Sequence, residues 1–274
     1  MIQGLIADTR SSVLFLSRLP MSYSAQTALP DFSQSSRCFA FAGLIIALPA
    51  ALILWITFAT GMPASVSALL SIATMVIITG ALHEDGLADT VDGFWGGHSR
   101  QRKLDIMRDS TIGTYGVLGL VVTILLRVVL LTYLIDSVGG LAAALVVLTS
   151  ASLSRAAILQ PWTLLLPARP SSDDDTEVVP QTGEKQLSGL SARYGVPDTD
   201  TLIWGSLAAL PAVLLLLWVC GLFSTLIALA GLQLAVMAVI ALCKHHIDGH
   251  TGDTLGATQQ LSELGLLLGL VWTM

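Results

Sequence analysis

Charge is scarce in this sequence. Only 12% of its 274 residues are Asp, Glu, Lys or Arg, about half the share found in soluble domains. No polar stretch is long enough to fold alone, which argues against a separate soluble domain. Cysteine is sparse too: Cys38, Cys220 and Cys243 lie in or beside apolar runs without metal-ligand spacing, so no disulfide framework or cysteine-based zinc site is implied. The N-terminus does not read as a secretory signal. Asp8 and Arg10 interrupt the N-terminal apolar residues and no small-residue cleavage site follows, so residues 1–37 read as an interfacial region with an amphipathic helix. The net charge is −6, and no nucleic-acid partner is expected.

What the chain has instead is apolar length. It is 54% hydrophobic with a mean hydropathy of +0.77, and a span needs about 20 such residues. The fold class that follows is all-α, a polytopic membrane bundle of about six or seven spans in one domain, 1–274. Apolar runs occupy residues 38–60, 63–82, 114–135, 141–166, 202–221, 222–243 and 255–274.

The basic residues orient these runs. Arg10, Arg18 and Arg37 precede the first run, and Arg100, Arg102, Lys103 and Arg108 separate the second from the third. Arg169, Lys185 and Arg193 follow the fourth, and Lys244 follows the sixth. The alternate connections, at Gly61-Met62, at 136–140 and at Gly221, contain no Lys or Arg. Positive charge stays on the cytoplasmic side, so the N-terminus and every basic loop are assigned there. The connection 167–201 is polar, with an acidic run at Asp173-Asp174-Asp175, and reads as a solvated cytoplasmic loop.

Against this background the segment from His83 to Gly93 is anomalous. Glu84, Asp85, Asp89 and Asp92 crowd together directly after an apolar run. On a helix, Asp85, Asp89 and Asp92 fall within a stripe about 60° wide, with Glu84 roughly 100° from Asp85. Like charges so stacked repel. A hard divalent cation relieves that repulsion, and Mg²⁺ is commonly shared between carboxylates and substrate phosphates. Asp85, Asp89, Asp92 and Glu84 are therefore the expected metal ligands, in a cytoplasmic catalytic helix and loop spanning 83–113. Arg100, Arg102 and Arg108 follow, and guanidinium forks suit a diphosphate. Asp105 and Asp109 interleave with them at ion-pair spacing.

Two arginines, Arg127 and Arg155, fall inside apolar runs. An intramembrane arginine calls for an acidic partner or a substrate. Arg127 is expected to pair with Glu263 or to serve the fold, and Arg155 lies nearer the cytoplasmic site. A second polar knot, 245–256, carries three histidines at no recognised zinc spacing, with Asp253 or Thr254 placed to cap the last helix.

Taken together these residues resemble the cobalamin synthase family, the adenosylcobinamide-GDP ribazoletransferases. The resemblance is carried by the block 83–93, by Ile106-Met107-Arg108-Asp109-Ser110 with Ile112-Gly113-Thr114-Tyr115-Gly116, and by Gly252-Asp253-Thr254-Leu255-Gly256-Ala257 with Glu263. Arg18-Leu19-Pro20 and Ser154-Arg155 extend it. Thr111 departs from it, standing where a basic residue is common.

The resemblance implies a multi-pass enzyme of the bacterial inner membrane, with its site facing the cytoplasm and Mg²⁺ as cofactor. It would join adenosylcobinamide-GDP to α-ribazole or its 5′-phosphate and release GMP. Asp85, Asp89 and Asp92 would be catalytic, with Asp92 preferred over Asp89 as proton acceptor and the ribazole 5′-hydroxyl as nucleophile. Arg100, Arg102, Arg108, Asp109, Arg155 and Asp253 would bind substrate. A homo-oligomer is left open. A phosphotransferase acting on CDP-linked alcohols shares the carboxylate logic but starts Asp-Gly-x-x-Ala-Arg, which is absent here. A carboxylate-gated transporter would release no GMP.

Overall fold

A chain in lipid must pair its backbone groups internally, and this one does so with helices. The computed structural model describes residues 2–20, 32–168 and 195–274; among these there is no strand, only an isolated bridge between Pro167 and His250. Most of the polar loop, including its acidic run, lies outside the described residues.

The helices are α1 (Ile2–Leu16), α2 (Phe32–Ser35), α3 (Phe39–Ala59), α4 (Ala64–Thr79), α5 (Leu82–Gly96), α6 (Arg100–Ile106), α7 (Thr114–Val138), α8 (Gly140–Ala157), α9 (Leu159–Leu164), α10 (Thr199–Ala208), α11 (Leu210–Ile247) and α12 (Gly252–Trp272). By length and apolarity four stretches among the described residues can cross a bilayer, or five if the bent pair α4–α5 is one span. One of the four, Thr199–Ile247, has 49 residues. At about 1.5 Å per residue it exceeds twice the ~30 Å hydrocarbon core. Its helix breaks at Gly221, which has non-helical angles (φ 79°, ψ 171°), at the boundary between the fifth and sixth apolar runs.

The bundle buries several charged and amide side chains within an apolar core and leaves large apolar side chains on its exterior. Leu118, Val122, Leu125 and Val129 of α7, and Leu214, Trp218 and Phe223 of α11, are exposed, while Arg127, Arg155, Gln259 and Gln260 are buried. A lipid-facing exterior accounts for this arrangement. α1 is too short to span; Val13 and Leu16 pack into the core while Leu5 and Ile6 stay exposed.

One bend positions everything that follows. α4 ends at Gly80 (φ 64°) and the next residue, Ala81, is also left-handed (φ 59°), so α5 leaves at 88° to α4. Gly80 is needed twice, for its dihedral and because the Arg18 side chain lies against its α-carbon. The Arg18 amide also donates to the Ile78 carbonyl at 2.7 Å, tying the segment after α1 to this elbow.

Candidate active site

α5 is a helix through 82–96, and its acids run from solvent inward: Asp85 is exposed, Asp89 half-buried and Asp92 buried. They meet different partners. The Asp92 carboxylate accepts the Gly113 amide at 2.7 Å and the Gly116 amide at 2.9 Å. Gly113 offers α7 no side-chain cap of its own, so Asp92 supplies it from another helix and sets a negative charge at the positive end of α7. A Cβ at residue 113 would stand 2.5 Å from Asp92 Oδ1, and one at 116 would strike Oδ2. The two glycines of the second motif block are thus explained by an aspartate of the first.

Glu84 turns the other way. Its Oε1 accepts from Arg127 Nη1 at 3.4 Å and Gln260 Nε2 at 3.0 Å. Arg127 also donates to Gln260 Oε1 and to Glu263 Oε1, both at 2.9 Å, which gives it the acidic partner expected from the sequence. Gln259 links Glu263 Oε2 at 2.7 Å to Ser154 Oγ at 3.0 Å. Arg155 lies beside this network with its bonds going to the Ala151 carbonyl (3.0 Å) and Met75 Sδ (3.7 Å), and it lines neither cavity described below. Two buried arginines and two buried glutamates balance in formal charge, which is what a low-dielectric interior demands.

The third motif block meets the first where α5 crosses the start of α12. Gly86 and Gly256 touch: a Cβ on Gly256 would be 3.3 Å from the Gly86 α-carbon, and one on Gly86 would be 2.8 Å from the Asp253 carbonyl. A capping box between Thr251 and Thr254 starts α12, and Thr251 Oγ1 donates to Asp253 Oδ2 at 3.2 Å. Asp85 and Asp253 consequently line one cavity of about 140 Å³, with His83 and Trp162. A larger groove of about 460 Å³, lined by apolar residues such as Leu87, Phe94 and Leu261, contains no charged group.

The four acids expected as metal ligands do not converge. Among the described residues no three His, Cys, Asp or Glu side chains gather closely enough to hold an ion by themselves, because Glu84 is turned to Arg127 and Asp92 to α7. Asp85 and Asp253 line one cavity, and two carboxylates are the donor set that Mg²⁺ usually takes when substrate phosphates complete its shell.

The basic residues divide as well. Arg100 donates through Nε to the Ile247 carbonyl at 2.8 Å and through Nη2 to the Ala168 carbonyl, closing the end of α11. Lys103 Nζ donates to His246 Nδ1 at 2.8 Å, and that imidazole stacks on Phe94 with centroids 4.5 Å apart. Arg102 and Arg108 are exposed. Asp109 is exposed and accepts from the Thr111 amide at 3.0 Å and from its hydroxyl. These bonds hold its carboxyl below the usual range, and Thr111 folds back on Asp109.

Sequence reasoning did not single out two residues of the cavity lining. His83 and Trp162 each bury a ring nitrogen without a hydrogen-bond partner, His83 Nε2 and Trp162 Nε1. The position of His83 against the acidic run was a signal; Trp162 gave none. His250, one of the three histidines of the second polar knot, lines neither cavity. It pairs with the segment after α9 (Ala168 amide to His250 carbonyl 2.8 Å, His250 amide to Leu166 carbonyl 2.9 Å), and its Nδ1 donates to the Leu165 carbonyl at 3.0 Å.

The cobalamin-5-phosphate synthase family profile matches residues 8–271. Similar relatives include the adenosylcobinamide-GDP ribazoletransferase of Azorhizobium caulinodans, 41% identical over 271 residues, covering 97% of this chain and 96% of the relative. Those of Allorhizobium ampelinum and Rhizobium johnstonii are 37% and 36% identical, each alignment covering 98% of both chains. No solved structure matches.

Proposed function

The chain belongs to the cobalamin-5-phosphate synthase family, and from that premise we propose that it is a membrane-embedded, Mg²⁺-dependent transferase. It joins adenosylcobinamide-GDP to a ribazole, preferably ribazole 5′-phosphate, and releases GMP. Its site faces the cytoplasm of a bacterium from the inner membrane, in keeping with the basic loops. The observation that carries the reading is the cavity shared by Asp85 and Asp253, which unites two distant motif blocks at one end of the bundle.

Asp85 and Asp253 would hold Mg²⁺ together with the diphosphate of the activated corrinoid. When bound, the ion neutralises the diphosphate and the departing GMP. An acceptor hydroxyl attacks the phosphorus next to the corrinoid, and the bond between that phosphorus and the oxygen bridging to GMP breaks. A phosphodiester and GMP result, and the hydroxyl proton passes to a carboxylate. An acceptor and product that already carry phosphate at the 5′ position leave the 5′-oxygen occupied. The nucleophile is then a secondary ribose hydroxyl, not the 5′-hydroxyl that the sequence reading used.

With both Asp92 oxygens engaged by backbone amides, Asp92 positions α7. Asp89, half-buried and one turn from Asp85 on the same helix, would accept the proton. Arg102 of α6 and Arg108 just after it are exposed and would face the nucleotide, whereas Arg100 holds two backbone carbonyls.

The test uses purified protein in nanodiscs with Mg²⁺, adenosylcobinamide-GDP and ribazole 5′-phosphate. GMP and the joined cobamide are expected in equal amounts. No GMP, or GMP without the joined product, would overturn the proposal.

A further inference from the structure

The cavity that Asp85 and Asp253 share has a second, aromatic end. Phe15 of α1, Phe39 of α3 and Trp162 of α9 contribute to its lining, with Phe39 and Trp162 ring centroids 6.1 Å apart. Trp162 is 0% exposed and His83 2% exposed; both belong to its lining, and each has a ring nitrogen that no protein group satisfies. Unpaired buried polar groups are rare in native structures and costly. Two bordering one cavity call for a ligand that supplies their partners.

Size and polarity narrow that ligand. An apolar cavity of about 150 Å³ accommodates benzene, so about 140 Å³ suits one flat ring system with its remainder extending out of the mouth. A corrin is far too large. Guanine is flat but carries several donors and acceptors along its edges, most of which would lie unpaired against the Phe15, Phe39 and Leu255 walls. An indole N–H can only donate, so the ring must present an acceptor. A ribazole base is a benzimidazole-type bicycle with a single unsubstituted ring nitrogen, and that atom is an acceptor.

We propose that this cavity is the base pocket for the acceptor, seating the nitrogen heterocycle of a ribazole between Phe15, Phe39 and Trp162. The Trp162 indole N–H donates to its free ring nitrogen. The inference rests on the transferase reading above and deepens it. The ribose then leaves the pocket toward the Asp85 and Asp253 carboxylates, which brings its hydroxyls to the phosphoryl site. His83 borders the base edge and discriminates among substituents there.

The test compares α-ribazole with its indole riboside analogue, which keeps the shape but replaces the free nitrogen by C–H. Binding to the full-length protein in nanodiscs is read by calorimetry without the corrinoid, so no turnover is required. Wild type should bind the ribazole about tenfold more tightly than the analogue, the size of effect expected for one buried hydrogen bond. Trp162→Phe should erase that preference and raise KM for the ribazole about tenfold, while KM for adenosylcobinamide-GDP stays in place; a merely structural defect would move both. Equal binding of the two ligands by wild type, or an unchanged preference in Trp162→Phe, overturns the pocket assignment even if GMP is released normally. Failure of GMP release with the preference intact instead defeats the transferase reading and leaves the pocket standing.

Discussion

The carboxylate of Asp92 reaches from α5 to the amide of Gly113, 2.7 Å away and 21 residues later in sequence, and holds the start of α7. Its second oxygen takes the Gly116 amide. An acid that reads from sequence as a metal ligand thereby fastens two motif blocks together. Asp92→Asn halves the acceptor capacity and removes the charge at the helix start. The expected loss is about 1–2 kcal/mol of stability, the range of a lost N-cap, measured as a fall in the thermal midpoint in detergent. Gly116→Ala should mimic it, because the added Cβ displaces the same carboxylate.

Arg127 is the hub of the buried network, bonded to Glu84, Gln260 and Glu263. Replacing it by Met strands two glutamates inside the bundle, and breaking such a pair from one side costs about 3–5 kcal/mol. Arg127→Met should therefore reduce the amount of folded protein recovered from membranes. The triple change Arg127→Met, Glu84→Gln, Glu263→Gln should recover more folded protein than the single one. Equal recovery would show that the charges are not coupled.

His250 gives the fold a pH dependence. Burial pushes its imidazole below the ordinary value of 6.5, against the raising effect of its bonds to the backbone at Leu165 and Leu166. The folded state thus prefers the neutral ring, and below pH 6.5 the unfolded chain binds the proton first. Stability is full above 6.5 and declines as the pH falls from there toward the depressed folded value. The thermal midpoint should drop between pH 7 and pH 5 in wild type, and less in His250→Gln. An equal drop in both would locate the acid sensitivity elsewhere.

Much of this fold is legible in the sequence because lipid imposes a simple code. The apolar runs are helical, with 141–166 divided between α8 and α9 and 202–221 between α10 and α11, and the one long stretch containing two runs breaks at Gly221, the boundary expected from the sequence. The elbow before α5 was not legible. It depends on two successive left-handed residues, and the second is Ala81, a residue type that does not announce a positive φ. Within the candidate site, the helical stripe of Asp85, Asp89 and Asp92 could be drawn from spacing, but the separate fates of the acids could not. Glu84 and Asp92 are claimed by Arg127 and by the α7 amides, partners 43 and 24 or fewer residues away. Asp85 acquires Asp253 through a glycine crossing between α5 and α12. Local periodicity carries no information about such encounters. The same holds for Arg100, whose guanidinium donors are taken by backbone carbonyls of two distant segments.

The most direct measurement titrates Mg²⁺ against GMP release for wild type, Asp85→Asn, Asp253→Asn and Glu84→Gln, all reconstituted in nanodiscs. The account predicts that Asp85→Asn and Asp253→Asn each raise the half-saturating Mg²⁺ about tenfold or more and cut turnover, as loss of one charged ligand should. Glu84→Gln should leave the Mg²⁺ requirement where it is while lowering stability. A Mg²⁺ requirement shifted by Glu84→Gln but untouched by Asp253→Asn would contradict the account and return the ion to the α5 acids alone.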